Sequence, residues 1–482
     1  MRRFIKPISI FLFFFPLFID LFAQDVEKDS VKLFSYGRIG ISATDQGQLG
    51  LRLNLNGLGP VGGRHEEGDY IELGTRVYLN RLKQRLGMDV LFVMRFAMFS
   101  SRGVMIGNGS NWDPNDLAIT LPEVYLQLRA KNGLVLWVGS RFHYPPGYYL
   151  EWFDHFFFNE RGEQGIGIEY KRWKWMILAQ QQLDDAGVTR LLYDNTGGLL
   201  GNQTDRQRLM LIGEYNYPLG ENHQLDINGE VHFLPKDPNG LLLQSETIAE
   251  TDPDGIVVPV PTEWGFVLGA GLKSTFRRLE NGQESYNQLT ARYGYGIANG
   301  TIIGTFARTH FTYGGFDEDL SYDGAYGWAL VNKFVWNTDD QIGLQFYLLY
   351  ENAKGGASGN TLTVEDEEGE MVVFNNKKES FVAGNRFTYF FTDKFHLHFD
   401  VSYQQRQEGD MTQFARMTKF AVQPTFMLTK NRDVLGMPLI RFIYSLGVYN
   451  DYAREIQYSQ YLEVDGSNRF GHYFGLRTEW SF

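Results

Sequence analysis

The chain has 482 residues, with 45 Lys and Arg against 57 Asp and Glu, a net charge of −12 and no cysteine. A balance this acidic argues against a nucleic-acid partner. The missing thiols exclude zinc–thiolate sites, redox pairs and cysteine nucleophiles. Aromatic residues make up 15% of the chain and glycines number 53, a mixture that favours strands and turns over helices.

Residues 1–23 read as a secretory leader. Arg2, Arg3 and Lys6 precede an apolar run from Phe11 to Phe22 that only Pro16 and Asp20 interrupt, and Ala23 supplies a small residue before Gln24. The run is too short for a membrane-spanning helix, and nothing after Ala23 offers 18 uncharged apolar residues in a row. Removal of this leader takes away three positive charges and one negative, leaving residues 24–482 at −14 as a single domain without linkers or low-complexity tracts.

Downstream, strand after strand alternates with a period of two. Val124, Leu126 and Leu128 share one face against Glu123, Tyr125, Gln127 and Arg129. Leu225, Ile227, Val231 and Phe233 oppose Gln224, Asp226, Asn228, Glu230 and His232. Leu397, Phe399, Val401 and Tyr403 oppose His398, Asp400, Ser402 and Gln404. Such alternation means one wet and one apolar face. A soluble sandwich alternates too, but wet faces carrying Arg95, Arg129, Glu230, Arg292, Arg308 and Arg477 suit a channel interior. The final stretch, His472 to Phe482, places Phe474, Leu476, Thr478, Trp480 and Phe482 on one face and ends on an aromatic. That ending resembles the assembly signal of bacterial outer-membrane barrels.

The connections come in two sizes. Asn281-Gly282 and Lys430-Asn431 read as short periplasmic turns. Segments 103–118, 187–205, 235–262, 314–324 and 353–378 read as long outward loops. Between Trp137 and Tyr170 the chain breaks at Pro145-Pro146-Gly147, runs through Tyr148, Tyr149, Trp152, Phe153, Phe156, Phe157 and Phe158, and closes on Gly162, Gly165 and Gly167. A loop this long and this aromatic is expected to fold into the barrel and narrow its bore.

Other signals carry less. Gly57-Leu-Gly-Pro-Val-Gly62 satisfies a dinucleotide-binding pattern, but that site needs a helix next, and Pro60 followed by Gly63 to Gly68 offers none. An outer loop or turn is the reading. The acidic runs 317–319 and 365–370 carry hard oxygen ligands of the kind calcium takes, though solvated loop charge is the ordinary reading. Nine histidines show no metal-ligand spacing, and no nucleophile elbow or phosphate loop occurs. No metal and no cofactor are expected.

Phe34-Ser-Tyr-Gly-Arg-Ile-Gly40, the segment Trp137 to Gly165, the Tyr326 to Tyr350 hairpin and Met437-Pro-Leu-Ile-Arg-Phe442 occur in an order that resembles maltoporin and the carbohydrate-selective porins. The resemblance implies an all-β transmembrane antiparallel barrel of 18 strands, an inward-folded constriction loop, a homotrimer in outer-membrane lipid, and one pore per subunit for an oligosaccharide. Alternation alone also allows 16 strands. In that family a line of aromatics stacks on sugar rings, and polar tracks beside it bind the hydroxyls. Pyranose rings have apolar faces and polar rims, so flat π surfaces flanked by donors and acceptors suit them. Matched by position, Tyr36, Tyr70, Tyr286 and Phe391 fall on the aromatic line, and Trp112 on the loop residue that latches over a neighbouring pore. Asp154 and Phe156 fall on the constriction loop, and Arg38, Arg52 and Glu72 on the polar tracks. Pro122 and Pro145 stand where the family has channel arginines, Ser481 where it has a tryptophan, and Phe156 where it has a tyrosine.

These observations point to a passive, sugar-facilitating outer-membrane porin, not an enzyme. The alternatives are a general diffusion porin whose aromatics serve only the membrane interfaces, an outer-membrane barrel enzyme such as a lipase, and a secreted polysaccharide-binding sandwich.

Overall fold

The computed structural model describes residues 28–482 apart from 101–116, 143–163, 180–206, 244–255, 366–370 and some shorter breaks. Eighteen strands form one closed antiparallel sheet. They are β1 Ser30–Thr44, β2 Tyr70–Tyr78, β3 Asp89–Ser100, β4 Leu117–Arg129, β5 Val135–Ser140 and β6 Gln164–Tyr170. Next come β7 Trp173–Ala179, β8 Leu209–Pro218, β9 His223–Leu234, β10 Glu263–Arg278, β11 Glu284–Gly296 and β12 Tyr326–Trp336. The circuit ends with β13 Ile342–Lys354, β14 Lys377–Phe390, β15 Phe395–Glu408, β16 Ala415–Met427, β17 Leu439–Tyr449 and β18 Phe470–Ser481. β1 pairs with β2 on one side and with β18 on the other, from Tyr36↔Ser481 to Thr44↔Tyr473, so no edge is left. Closure is what lets such a sheet sit in lipid with its backbone satisfied.

The alternation resolves as expected. On β9, Ile227, Val231 and Phe233 are exposed outward, while Asp226, Asn228, Glu230 and His232 are buried inward. β15 repeats this, with Phe399 and Val401 outside and His398, Asp400, Ser402 and Gln404 inside. Pro122, which has no N–H to give the ladder, sits in β4 where the β3–β4 register shifts between Arg95 and Ala97, opposite it.

Connections at one end are mostly short, as at 130–134, 171–172, 219–222, 279–283 and 391–394. Those at the other end include 45–69, 235–262, 297–325 and 355–376. In outer-membrane barrels the short-turn end faces the periplasm. The dinucleotide-like glycines lie on one of the long outer connections, as read, but that connection does not stay outside. Residues 51–66 turn down into the lumen and pack on the inner wall. Leu53, Leu55, Leu58 and Val61 are buried in one apolar cluster with Tyr347, Leu349, Met417 and Tyr449. The wall strands also bind the segment's backbone. Tyr347 Oη donates to Val61 O at 3.2 Å, Ser402 Oγ to Gly62 O at 3.1 Å, Arg406 Nη1 to Gly57 O at 3.1 Å and Tyr449 Oη to Leu53 O at 2.6 Å. The glycines are there for backbone reasons. Gly57 has a φ of 74°, and a Cβ on Gly62 would come within 2.5 Å of Gln404 Nε2.

The short-turn end is tucked in too. Connection 428–438, read as a plain turn at Lys430-Asn431, brings Val434 into the same cluster, where Gln345 Nε2 donates to its carbonyl at 2.6 Å. The inner wall of β13–β17 is therefore covered by the chain's own residues. A passage must run elsewhere.

Candidate functional site on the lumen wall

The partly exposed chemistry lies on β1, β2 and β3, where Phe34, Tyr36, Arg38, Tyr70 and Arg95 are half-buried, with Glu479 of β18 buried behind them. Even-numbered residues of β1 point inward, so Phe34, Tyr36 and Arg38 form a row. Tyr36 and Tyr70 meet with ring centroids 5.9 Å apart and planes tilted by 53°. The Arg38 guanidinium lies 5.1 Å from the Tyr70 ring centre, and its Nε donates to Gly68 O at 3.0 Å. Tyr70 Oη donates to Glu72, whose other carboxylate oxygen accepts from Arg95 Nη1 at 2.7 Å. Arg95 also reaches Glu123 Oε2 at 2.8 Å and lies over the Phe34 ring at 5.2 Å. Behind Tyr36, Glu479 accepts from Tyr36 Oη at 2.7 Å and is paired with Arg441, while Arg64 Nη2 donates to Tyr36 Oη at 3.0 Å. Gly74, opposite Phe34, leaves room for that ring to lie against the wall, since a Cβ there would sit 2.1 Å from it.

The result is a pair of tilted phenol rings flanked by guanidinium and carboxylate groups that hold one another in place. Charge-assisted hydrogen bonds of this kind fix side-chain orientation. A flat π surface beside fixed donors and acceptors is the chemistry a polyhydroxylated ring requires.

Four of the expected residues, Tyr36, Tyr70, Arg38 and Glu72, are thus brought together. The others are not. Phe391 lies in the turn after β14 with half of its surface exposed, its ring 5.4 Å from Phe395 and edge-on to Tyr389. Those are outward aromatics at the short-turn end, so Phe391 belongs to the membrane girdle rather than to an aromatic line in the lumen. Tyr286 does point inward, but it is 6% exposed and sits between Lys273 at 4.5 Å and Lys333 at 5.4 Å, sealed in the cluster with Val335, Phe390 and Val434. It offers no free face to a passing ring. Arg52 is on the inward segment rather than on a strand, half-buried, with its carbonyl accepting from Tyr461 N at 3.2 Å. Trp112, Asp154 and Phe156, and with them the expected constriction loop, lie outside the described residues.

Phe34, Arg95, Glu123, Arg64 and Glu479 complete the cluster. Parity with Tyr36 marks Phe34, and the wet-face pattern marks Arg95 and Glu123. Arg64 carries no sequence signal, because it arrives on the inward segment.

The LamB porin family model matches residues 31–480. The chain belongs to the LamB porin family. This porin is accordingly a barrel of the bacterial outer membrane, and its family and fold are those of a passive channel. Among solved structures it is similar to Acinetobacter baumannii OccAB1, at 10% identity and a TM-score of 0.43, over 95% of this chain and 97% of that one. It is also similar to the outer-membrane channel DcaP of Acinetobacter baumannii, at 11% identity and a TM-score of 0.40, over 96% of this chain and 100% of that one. A third likeness is to the trimeric form of OmpT of Vibrio cholerae, at 8% identity and a TM-score of 0.36, over 95% and 100%. No curated protein matches the chain.

Proposed function

We propose that this porin facilitates diffusion of oligosaccharides, with Tyr36 and Tyr70 as the stacking surface and Arg38, Glu72 and Arg95 as the hydroxyl-binding track. A leader over residues 1–23 directs export, and three copies assemble in the outer membrane. No covalent step and no cofactor enter the reading. The observation that carries it is the tilted Tyr36–Tyr70 pair with Arg38 against one ring and Glu72 bonded to its hydroxyl. Binding here is built from several weak contacts, which permits release as well as entry.

A second reading is favoured by the placement of Phe391 and Tyr286. With those two off the passage, Tyr36 and Tyr70 are the aromatics left of the four wall positions matched. That is a short surface, and it suits a general diffusion porin as well.

Single-channel conductance separates the two. The full-length protein is reconstituted in a planar bilayer and titrated with linear oligosaccharides. A sugar-facilitating channel closes reversibly and saturably with one sugar class. Open channels indifferent to every oligosaccharide leave a diffusion porin.

A further inference from the structure

The lipid-facing side of the barrel is not uniformly convex. Across β5–β10 the outer wall carries an apolar hollow of about 1020 Å³. That is at the upper end of the ~300–1,000 Å³ typical of sites that hold small molecules. Its floor is a pair of directly opposed glycines, Gly213 on β8 and Gly229 on β9. Trp175 lies against Gly213, its ring 2.7 Å from where a Cβ would stand, whereas a Cβ on Gly229 would meet nothing within 4 Å. Leu211, Ile227, Val231 and Leu268 rise around this slot.

The hollow has a direction. A second one of about 340 Å³ shares Ile168, Trp173 and Trp175 with it and extends to Tyr170. Tyr170 ends β6, and the two-residue turn that follows is Lys171-Arg172, with Lys171 at a φ of 56°. The Lys171 ammonium lies 5.1 Å from the Tyr170 ring centre, and the Arg172 guanidinium 5.9 Å from that of Tyr217. Neither has a carboxylate partner among the described residues. The path thus runs from a predominantly apolar slot on the outer wall, past stacked Trp173 and Trp175, to two cations at the short-turn end.

We propose that this groove is a binding site for an anionic glycerophospholipid of the periplasmic leaflet, with its acyl chains along the Gly213–Gly229 slot and its phosphate at Lys171 and Arg172. The groove has the polarity of an amphiphile, apolar along its length and cationic at the interface end. Basic residues at a membrane surface attract anionic headgroups.

The test uses the full chain, purified in mild detergent and exposed to phosphatidylglycerol vesicles, with retained lipid read by native mass spectrometry. Wild-type protein is expected to retain phosphatidylglycerol after detergent exchange, in preference to phosphatidylethanolamine. Lys171→Gln with Arg172→Gln is expected to lower retention about tenfold, and Gly229→Leu, which fills the slot, to do the same. Heat-shifted electrophoretic mobility reports that each variant has folded, and the choice between the two lipids by wild-type protein needs no variant. No retention, retention without preference for the anionic lipid, or retention unchanged by either variant would overturn the proposal. So would a Gly229→Leu protein that loses its oligomer while keeping its lipid, since the face would then belong to a second copy.

Discussion

Tyr36 shows how one side chain serves both the wall and a ligand. Its hydroxyl bridges Glu479 and Arg64, while its ring faces Tyr70. Truncation and dehydroxylation should therefore separate. Tyr36→Ala removes the stacking surface and is expected to weaken channel block by an oligosaccharide by about 1–3 kcal/mol, the scale of one buried aromatic contact. Tyr36→Phe keeps the ring and should keep most of the block. Phe391→Ala should leave the block unchanged, because that ring sits among outward aromatics. An equal loss in Phe391→Ala would show that the lumen assignment is wrong. The sequence made Tyr36, Arg38 and Phe34 legible because strand parity fixes the facing of every second residue. Phe391 was misread because it was placed by positional match to the family, whereas the parity of β14, with Arg386, Thr388 and Phe390 inward, puts it outward with Phe387 and Tyr389.

At the scale of elements, the decisive feature is the inward segment 51–66. Nothing local announces it. Its partners lie far along the chain, as in the bond from Gln404 Nε2 to Gly62 O across 342 residues, so periodicity within the segment carries no trace of them. Lys419 Nζ holds the segment through Glu66 Oε2 at 2.9 Å and Asn54 Oδ1 at 2.7 Å, all buried. Removing one member of a buried pair leaves the other charge uncompensated, at a cost of about 3–5 kcal/mol. Lys419→Met is therefore expected to unseat the segment and raise single-channel conductance, and conductance equal to wild type would refute the plug. His65 adds a pH dependence. It lies on this connection rather than on a spanning strand, packed against Asp400 and Ser445 with Lys419, Glu66 and Arg386 close by. Burial holds its imidazole below the ordinary value, and the Lys419 charge acts the same way against the pull of Asp400. The seated segment thus resists a proton that a released segment accepts near the ordinary histidine value of about 6.5. Its contribution is complete above that pH and is lost as pH falls through it toward the lowered value. Protease cleavage within 51–66 is expected to rise between pH 7.5 and pH 5, to a degree that His65→Gln abolishes.

Over the whole molecule, two solvents act on one sheet. The outer face meets lipid and the inner face meets water and the chain's own plug, so neighbouring residues on one strand live in opposite media. Sequence alternation recorded this directly, which is why the barrel was legible while the contents of its lumen were not. Its strand count came from resemblance, since alternation by itself permits 16 as well as 18. The β9 pair Ile227 and Asn228 tests the two-solvent description most sharply. Ile227 faces lipid near the middle of the strand, and Asn228 faces the lumen, its Nδ2 donating to Glu230 Oε1 at 3.1 Å. An arginine on the lipid face near the midplane costs about 2–4 kcal/mol, whereas lumen substitutions chiefly tune selectivity. Ile227→Arg is expected to lose stability on that scale in urea unfolding from lipid vesicles. Asn228→Ala should cost less, because it introduces no charge into lipid and gives up side-chain hydrogen bonds such as that to Glu230, at about 1 kcal/mol each. If the two variants unfold alike, or if the lumen variant is the less stable one, the inside and outside of this strand have been exchanged.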